Sequence, residues 1–185
     1  MQAKPFLKWA GGKTQLLGEL TARLPHEIKE SGVIKSYVEP FVGGGAFFFH
    51  LQSLFAVENA CLMDINRELM LGYKVVQQEP DALIAYLSQL ESDYLALDSQ
   101  ARQVFYYDIR ELYNQQMNQL NYESFDEVWI VRASYMIFLN KTCYNGLFRQ
   151  SHKGEFNVPH GRYKRPTVCD PENIKAASRA LAGIE

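Results

Sequence analysis

Three glycines stand together between bulky apolar blocks in "FVGGGAFFFHL", Phe41 to Leu51, and Asp64 follows Gly43 by 21 residues. Glycines at the carboxyl end of a strand let a ligand approach the backbone with no Cβ in the way. An acid ending the next strand can accept hydrogen bonds from ribose hydroxyls. A dinucleotide site asks for Gly-x-Gly-x-x-Gly, whose third glycine packs the helix start beside a pyrophosphate. Here that place holds Phe48. The pattern therefore points to a ligand with a ribose and no diphosphate, and S-adenosylmethionine (SAM) is the leading candidate. The competing reading is a tight turn whose acid caps the next helix.

A second glycine cluster, "WAGGKTQLL", runs from Trp9 to Leu17. Gly12-Lys13-Thr14 imitates the end of a phosphate-binding loop, but the required first glycine falls on Leu7. Such a loop curls a long run of backbone N–H groups around phosphates, and this one is too short for that. A nucleotide triphosphatase is disfavoured. What remains is Trp9 and Lys13 beside a turn at a helix start.

The elements that must position these residues follow from periodicity. Leu16, Leu17, Leu20 and Leu24 recur at helical spacing in Lys13–Leu24. Lys35–Phe41 reads as a strand, the glycines as a turn, and "GGAFFFHLQSLF" as a buried helix. Asn59–Asp64 reads as a second strand and Ile65–Gln78 as a helix, which completes a βαβ unit. Further helices are expected over Pro80–Leu97, Ser99–Met117 and Glu123–Tyr144. Asn145–Pro166 carries Asn-Gly, Lys-Gly and His-Gly turn signals around "EFNV" and reads as irregular chain with a short hairpin. A last helix has Asp170 as N-cap, Pro171 in its first turn and Gly183 at its end.

The 185 residues are 47% hydrophobic, enough to bury a core. No apolar run is long enough for a membrane span, and the N-terminus has no signal-peptide h-region. Cys61, Cys143 and Cys169 are too scattered for a metal set or a disulfide framework, so a reducing cytoplasm, no metal and no membrane are expected. None of the cysteines follows a proline, which sets aside cytosine-directed methylation. The net charge of −2 hides an asymmetry. Between Lys141 and Pro166 stand Lys141, Arg149, Lys153, Arg162, Lys164 and Arg165 against Glu155 alone. A basic segment on an acidic body is either a footprint for an anionic polymer or a solvated loop.

Five segments taken in order, "FLKWAGGKTQLL", "YVEPFVGGGAFF", "LMDINRELMLGYKVV", "LNKTCYNGLFR" and "GEFNVPHGRYKRP", resemble the Dam-type DNA adenine-N6 methyltransferases of bacteria and phages. The motif order is that of the family's alpha subgroup. The resemblance implies an α/β fold: a SAM-dependent methyltransferase (Rossmann-like) sheet, incomplete here, with a mainly helical DNA target-recognition region. It implies residues 1–78 in the cofactor domain, 79–166 in the recognition domain, and 167–185 as the return to the first. Trp9, Lys13, Glu39, Pro40, Phe41, Gly43, Gly45 and Asp64 match the family's SAM positions. Tyr144, Asn145, Leu147, Arg149, Pro159 and Arg162 match positions used on double-stranded DNA. Arginine suits guanine O6 and N7 in the major groove, and a Tyr or Leu can fill the gap left by a flipped adenine. GATC is the first expectation for the site.

The family's methyl-transfer motif, Asp-Pro-Pro-Tyr, does not occur; Asp170-Pro171 is followed by Glu172-Asn173 and opens a helix. The expectation is an N-terminal portion of such an enzyme, inactive by itself, whose uncovered strand edge favours self-association. A stable monomer in sedimentation counts against that last expectation. The alternative is a non-catalytic DNA- or SAM-binding module, which salt-dependent DNA binding without methylation favours.

Overall fold

The computed structural model describes residues 2–117 and 120–184. Lys13–Leu16 form a 3-10 turn that runs into the short helix α1 (Leu17–Ala22), where one continuous helix to Leu24 was expected. Helix α2 (His26–Ser31) was not foreseen. Pro25 precedes it, and Gly32 ends it at φ 70°, donating its N–H to the Ile28 carbonyl at 2.9 Å. Proline before a helix and a left-handed glycine after it are helix boundary signals, so the sequence held this information.

Strands β1 (Val33–Ile34) and β2 (Tyr37–Glu39) pair in parallel with β3 (Ala56–Val57) and β4 (Ala60–Leu62) respectively. The register does not slip between the two pairs: Val33 faces Ala56 and Glu39 faces Leu62 at one constant offset. They are one ladder interrupted at Lys35–Ser36. Helix α3 (Ala46–Leu54) makes the crossover, and α4 (Arg67–Gln78) leaves the end of β4. The β-α-β-α order agrees with the expectation; the strands are shorter and split, because Lys35 and Ser36 turn to solvent. Side chains alternate across the ladder. Tyr37 and Glu39 turn inward, whereas Val38 is 57% exposed.

Helices α5 (Pro80–Ala96), α6 (Ser99–Gln116), α7 (Val128–Thr142) and α8 (Pro171–Leu181) complete the fold. Asp98 caps α6 and Asp170 caps α8, each carboxylate accepting backbone N–H groups of the first turn. Helix α7 is the central post and packs against α4, α5 and α6. It is shorter than the expected Glu123–Tyr144. Its polar lead-in stays outside the helix, and Cys143 goes extended to bridge His160 antiparallel. One apolar cluster runs from Val42 and Leu62 through Leu83, Phe138 and Phe156 to Ile174. No described helix is long and apolar enough to cross a membrane.

Tyr73, Tyr106 and Tyr113 are buried, and burial is the first reason their phenols are pushed above the usual range. A phenol whose folded pKa exceeds its unfolded value supports folding while protonated. That support is whole below pH 10 and shrinks above it, by about 1.4 kcal/mol per pH unit for each such tyrosine. We expect urea midpoints to hold steady up to pH 10 and to fall steeply beyond it; a flat profile to about pH 11 contradicts this.

Candidate functional site

The turn after β2 is built by its glycines. Gly43 sits at φ 52° and Gly45 at φ 73°, left-handed positions that favour glycine. The Gly45 N–H closes the turn on the Val42 carbonyl at 2.9 Å, and Tyr73 Oη donates to the Gly43 carbonyl at 3.0 Å. A Cβ on Gly45 would strike Tyr73 Oη, and one on Gly43 would come within 3.1 Å of Trp9 Cδ1. Asp64 lies directly beneath. Its Oδ2 accepts the Gly43 N–H at 3.0 Å and its Oδ1 accepts the Asn66 N–H at 3.0 Å. Each oxygen keeps a further lone pair. Asp64 thus fixes the turn and still offers acceptors to a ligand. Asn66, rather than Asp64, caps α4, accepting the Leu69 N–H at 3.1 Å.

Trp9, Lys13, Phe41, Gly43 and Asp64 line one cavity of about 220 Å³. The two glycine clusters therefore face each other across one space. Lys13 Nζ reaches over to Glu39 Oε1 at 3.3 Å and donates to the Phe41 carbonyl at 3.2 Å. Glu39 is buried and also accepts from Tyr37 Oη at 2.7 Å. It stands behind Lys13, outside the cavity wall. Gly45 is buried in the turn and Pro40 is exposed, and neither belongs to the wall. A larger cavity of about 520 Å³ meets the first at Asp64. Arg67, Met70 and Lys74 of α4 form one side, and Tyr122, Phe125 and Trp129 the other. None of these was singled out from sequence. The signal was there, since Arg67, Met70, Leu71 and Lys74 share one helical face just after Asp64.

Tyr144, Asn145, Leu147, Arg149, Pro159 and Arg162 are all exposed, and none lines the cavity at the glycine turn. The expected hairpin is looser than a ladder: single antiparallel bridges join Gln150 to Phe156 and Cys143 to His160. Backbone and side-chain hydrogen bonds do the rest of the pinning. Tyr144 donates its N–H to the Pro159 carbonyl at 2.9 Å, and Arg149 Nε donates to Asn157 Oδ1 at 2.7 Å. Asn114 of α6 accepts the Phe156 N–H at 2.8 Å.

Asn140 is the joint between the two surfaces. Its Oδ1 accepts the Lys8 N–H at 2.8 Å, and its Nδ2 donates to the carbonyls of Lys8 and Gly146, both at 2.9 Å. It is 1% exposed, and both of its amide hydrogens are spent on the protein. Lys8 Nζ lies 5.4 Å from the centre of the Tyr163 ring, which brings a cation from the N-terminal motif to the basic loop. Sequence reasoning missed Lys8, Asn140 and Tyr163, because contacts between residues so far apart in the chain leave no periodic trace. Asn140→Ala leaves three backbone groups unpaired. We expect a loss of about 2–4 kcal/mol in denaturant unfolding, well above a surface substitution; a loss under about 1 kcal/mol contradicts the clamp.

Residues 9–184 match the family described as D12 class N6 adenine-specific DNA methyltransferase. The chain belongs to this family. It is 50% identical over 185 residues to the Type II methyltransferase M.MjaIII of Methanocaldococcus jannaschii, covering all of this chain and 61% of that protein. It is 33% identical over 177 residues to the DNA adenine methylase of Escherichia coli strain K12, covering 96% of this chain and 54% of that one. The DNA N-6-adenine-methyltransferase of Escherichia phage P1 is 34% identical over 163 residues, 88% of this chain and 18% of the phage protein. The chain thus spans 61% and 54% of the length of these two cellular methyltransferases.

Proposed function

We propose that this chain supplies the methyl-donor site and the duplex-recognition surface of a DNA adenine-N6 methyltransferase. The observation that carries the reading is the adjacency of Lys8 and Trp9. Trp9 lines the cavity at the glycine turn, and Lys8 reaches the basic loop, with Asn140 holding both ends of that arrangement. Donor and duplex then sit on neighbouring surfaces, as a transfer between them requires.

The residues fit SAM. Gly43 brings the backbone to the cavity with no side chain in the way, and Asp64 keeps lone pairs for ribose hydroxyls. Lys13, on the cavity wall, offers an ammonium to the carboxylate of an amino-acid end group, and Glu39 behind it holds that ammonium in place. Bound SAM would supply an electrophilic methyl on a sulfonium. This chain's own part is to orient it: the glycine turn fixes the depth, Asp64 the ribose and Trp9 one wall. The basic loop grips duplex DNA. Lys and Arg hold phosphates for register, Arg149 reads a base edge, and Tyr144 or Leu147 fills the space left by a flipped adenine. GATC remains the site we propose.

Asp-Pro-Pro-Tyr is the group expected to orient the adenine amine, and it does not occur in these 185 residues. We therefore expect them to bind without turning over. The test is a SAM-dependent methylation assay on GATC and scrambled duplexes. It is run on these residues alone and with an in-frame downstream sequence carrying that motif. Methylation of GATC only in the second case supports the proposal. Turnover by the 185 residues alone overturns the inactivity, and duplex binding without methylation in both cases favours a binding module.

A further inference from the structure

Trp9 lines the cavity at the glycine turn, and it also has a neighbour in the recognition loop. Phe148 stacks on it, with ring centres 5.1 Å apart and planes 25° from parallel. We propose that Phe148 is a positioning residue: it makes the presentation of Leu147 and Arg149 depend on a filled donor cavity, so that the duplex is read more tightly when the methyl donor is in place. This rests on the donor and duplex reading given above and adds a residue that it does not use.

The chain leaves the 3-10 turn Tyr144–Gly146 with Leu147 extended, at φ −75° and ψ 145°. In extended chain, neighbouring side chains take opposite sides. Leu147 and Arg149 are exposed, and Phe148 between them is half-buried. The seat of the Phe148 ring therefore sets how Leu147 and Arg149 face outward. That seat has two aromatic walls. Phe156 is one, with its ring centre 5.7 Å away. It is 2% exposed and meets the Tyr113 ring edge-on, so this wall belongs to the core. Trp9 is the other wall, and it is half-buried.

Trp9 is the wall that a ligand changes. A donor packed against the indole restricts its motion. Phe148 then packs on a ring already ordered and gives up less freedom in doing so, which is positive coupling without a large displacement. The segment that carries Trp9 has little slack to absorb the effect. It is layered between the glycine turn and the loop. A Cβ on Gly44 would come within 3.4 Å of the Leu7 carbonyl oxygen, and one on Gly146 would strike the Lys8 side chain. Asn140 ties Lys8 to Gly146 across the same layer. An aromatic pair of this kind carries a coupling of about 4–10-fold. A Phe148 that only filled space would behave differently: replacing it would weaken duplex binding by one factor, the same with and without the donor.

The test is fluorescence anisotropy of the full chain with labelled GATC and scrambled duplexes, with and without S-adenosylhomocysteine at a concentration that calorimetry shows to be saturating. In wild type the ligand should tighten binding to GATC about 4–10-fold and to the scrambled duplex less than about twofold. The GATC duplex should tighten S-adenosylhomocysteine by the same factor, as linkage requires. Phe148→Leu and Phe148→Met remove the stack and keep an apolar side chain, and the factor on GATC should fall below about twofold in both. Phe148→Tyr keeps the stack and should keep the factor. Each factor is a ratio within one variant, so a partly unfolded sample cancels out of it. With both ligands bound by wild type, a factor below about twofold on GATC, or equal tightening of both duplexes, overturns the inference and leaves the donor and duplex reading standing. A factor retained in Phe148→Leu and Phe148→Met, or lost in Phe148→Tyr, overturns it as well. Failure of wild type to bind S-adenosylhomocysteine or duplex overturns that reading and the inference with it.

Discussion

Arg132→Met alone should destabilise the protein by about 3–5 kcal/mol, the range for breaking a buried ion pair by removing one partner. Arg132 of α7 is 1% exposed and Glu68 of α4 is 5% exposed. Arg132 Nε donates to Glu68 Oε2 at 2.9 Å, and a terminal nitrogen donates to Oε1 at 2.6 Å. The other terminal nitrogen donates to the Tyr113 carbonyl, and the guanidinium lies 3.9 Å from the centre of the Tyr113 ring. Tyr122 Oη donates to Glu68 Oε1 at 2.6 Å, and burial, then Glu68, pushes its phenol up to about 12. Removing the arginine strands a buried carboxylate that keeps only Tyr122 among the described residues. Glu68→Leu combined with Arg132→Met should recover more than half of the loss, since a buried pair is worth far less against apolar replacements than its breakage suggests. Urea unfolding of both single variants and the double variant checks this as a double-mutant cycle. A loss below about 1 kcal/mol in Arg132→Met, or strictly additive losses in the double, contradicts it.

Asp64→Ala should lower SAM affinity at least about 100-fold, roughly 2.7 kcal/mol, the size expected for losing charged hydrogen bonds at a partly buried site. Two effects act together. The ribose loses its acceptor, and the N–H groups of Gly43 and Asn66 lose theirs, so the turn that shapes the cavity loosens. Asp64→Asn keeps a carbonyl acceptor for one of those N–H groups and should fall about 10-fold. Calorimetric titration with SAM, alongside a melting curve, separates binding from folding. Binding within threefold of wild type for Asp64→Ala would show that the acid serves the helix junction alone.

The geometry of the glycine turn was legible because its demands are local. Left-handed glycines between a strand and a helix, and an acid at the end of the next strand, are short-range requirements that a linear pattern displays. The helix starts at Ser99 and at Asp170-Pro171 were legible for the same reason. The strands were harder. The Lys35–Ser36 break and the pairing of β1 with β3 follow from which short segments reach solvent, and the hydrophobic pattern carries that weakly. The least legible features are the polar joints. Asn140 reads as an ordinary helix residue, yet it ties Lys8 to Gly146. Arg132 and Glu68 carry no linear signal of their pairing, yet they are the buried contact between α4 and α7. His160 reads as part of a turn dipeptide and is buried against Tyr94 and Tyr106. Long-range pairing decides each of these, and single-residue type does not announce it.

The central claim is that the glycine turn, Trp9, Lys13 and Asp64 form a site for SAM rather than for a nucleotide phosphate. Calorimetric titration of this chain with SAM, repeated with S-adenosylhomocysteine, ATP and NAD as competitors, tests it most directly. The account predicts saturable binding at one site, displaced by S-adenosylhomocysteine and untouched by ATP or NAD. Absence of SAM binding by the folded chain, or displacement by ATP, would contradict it.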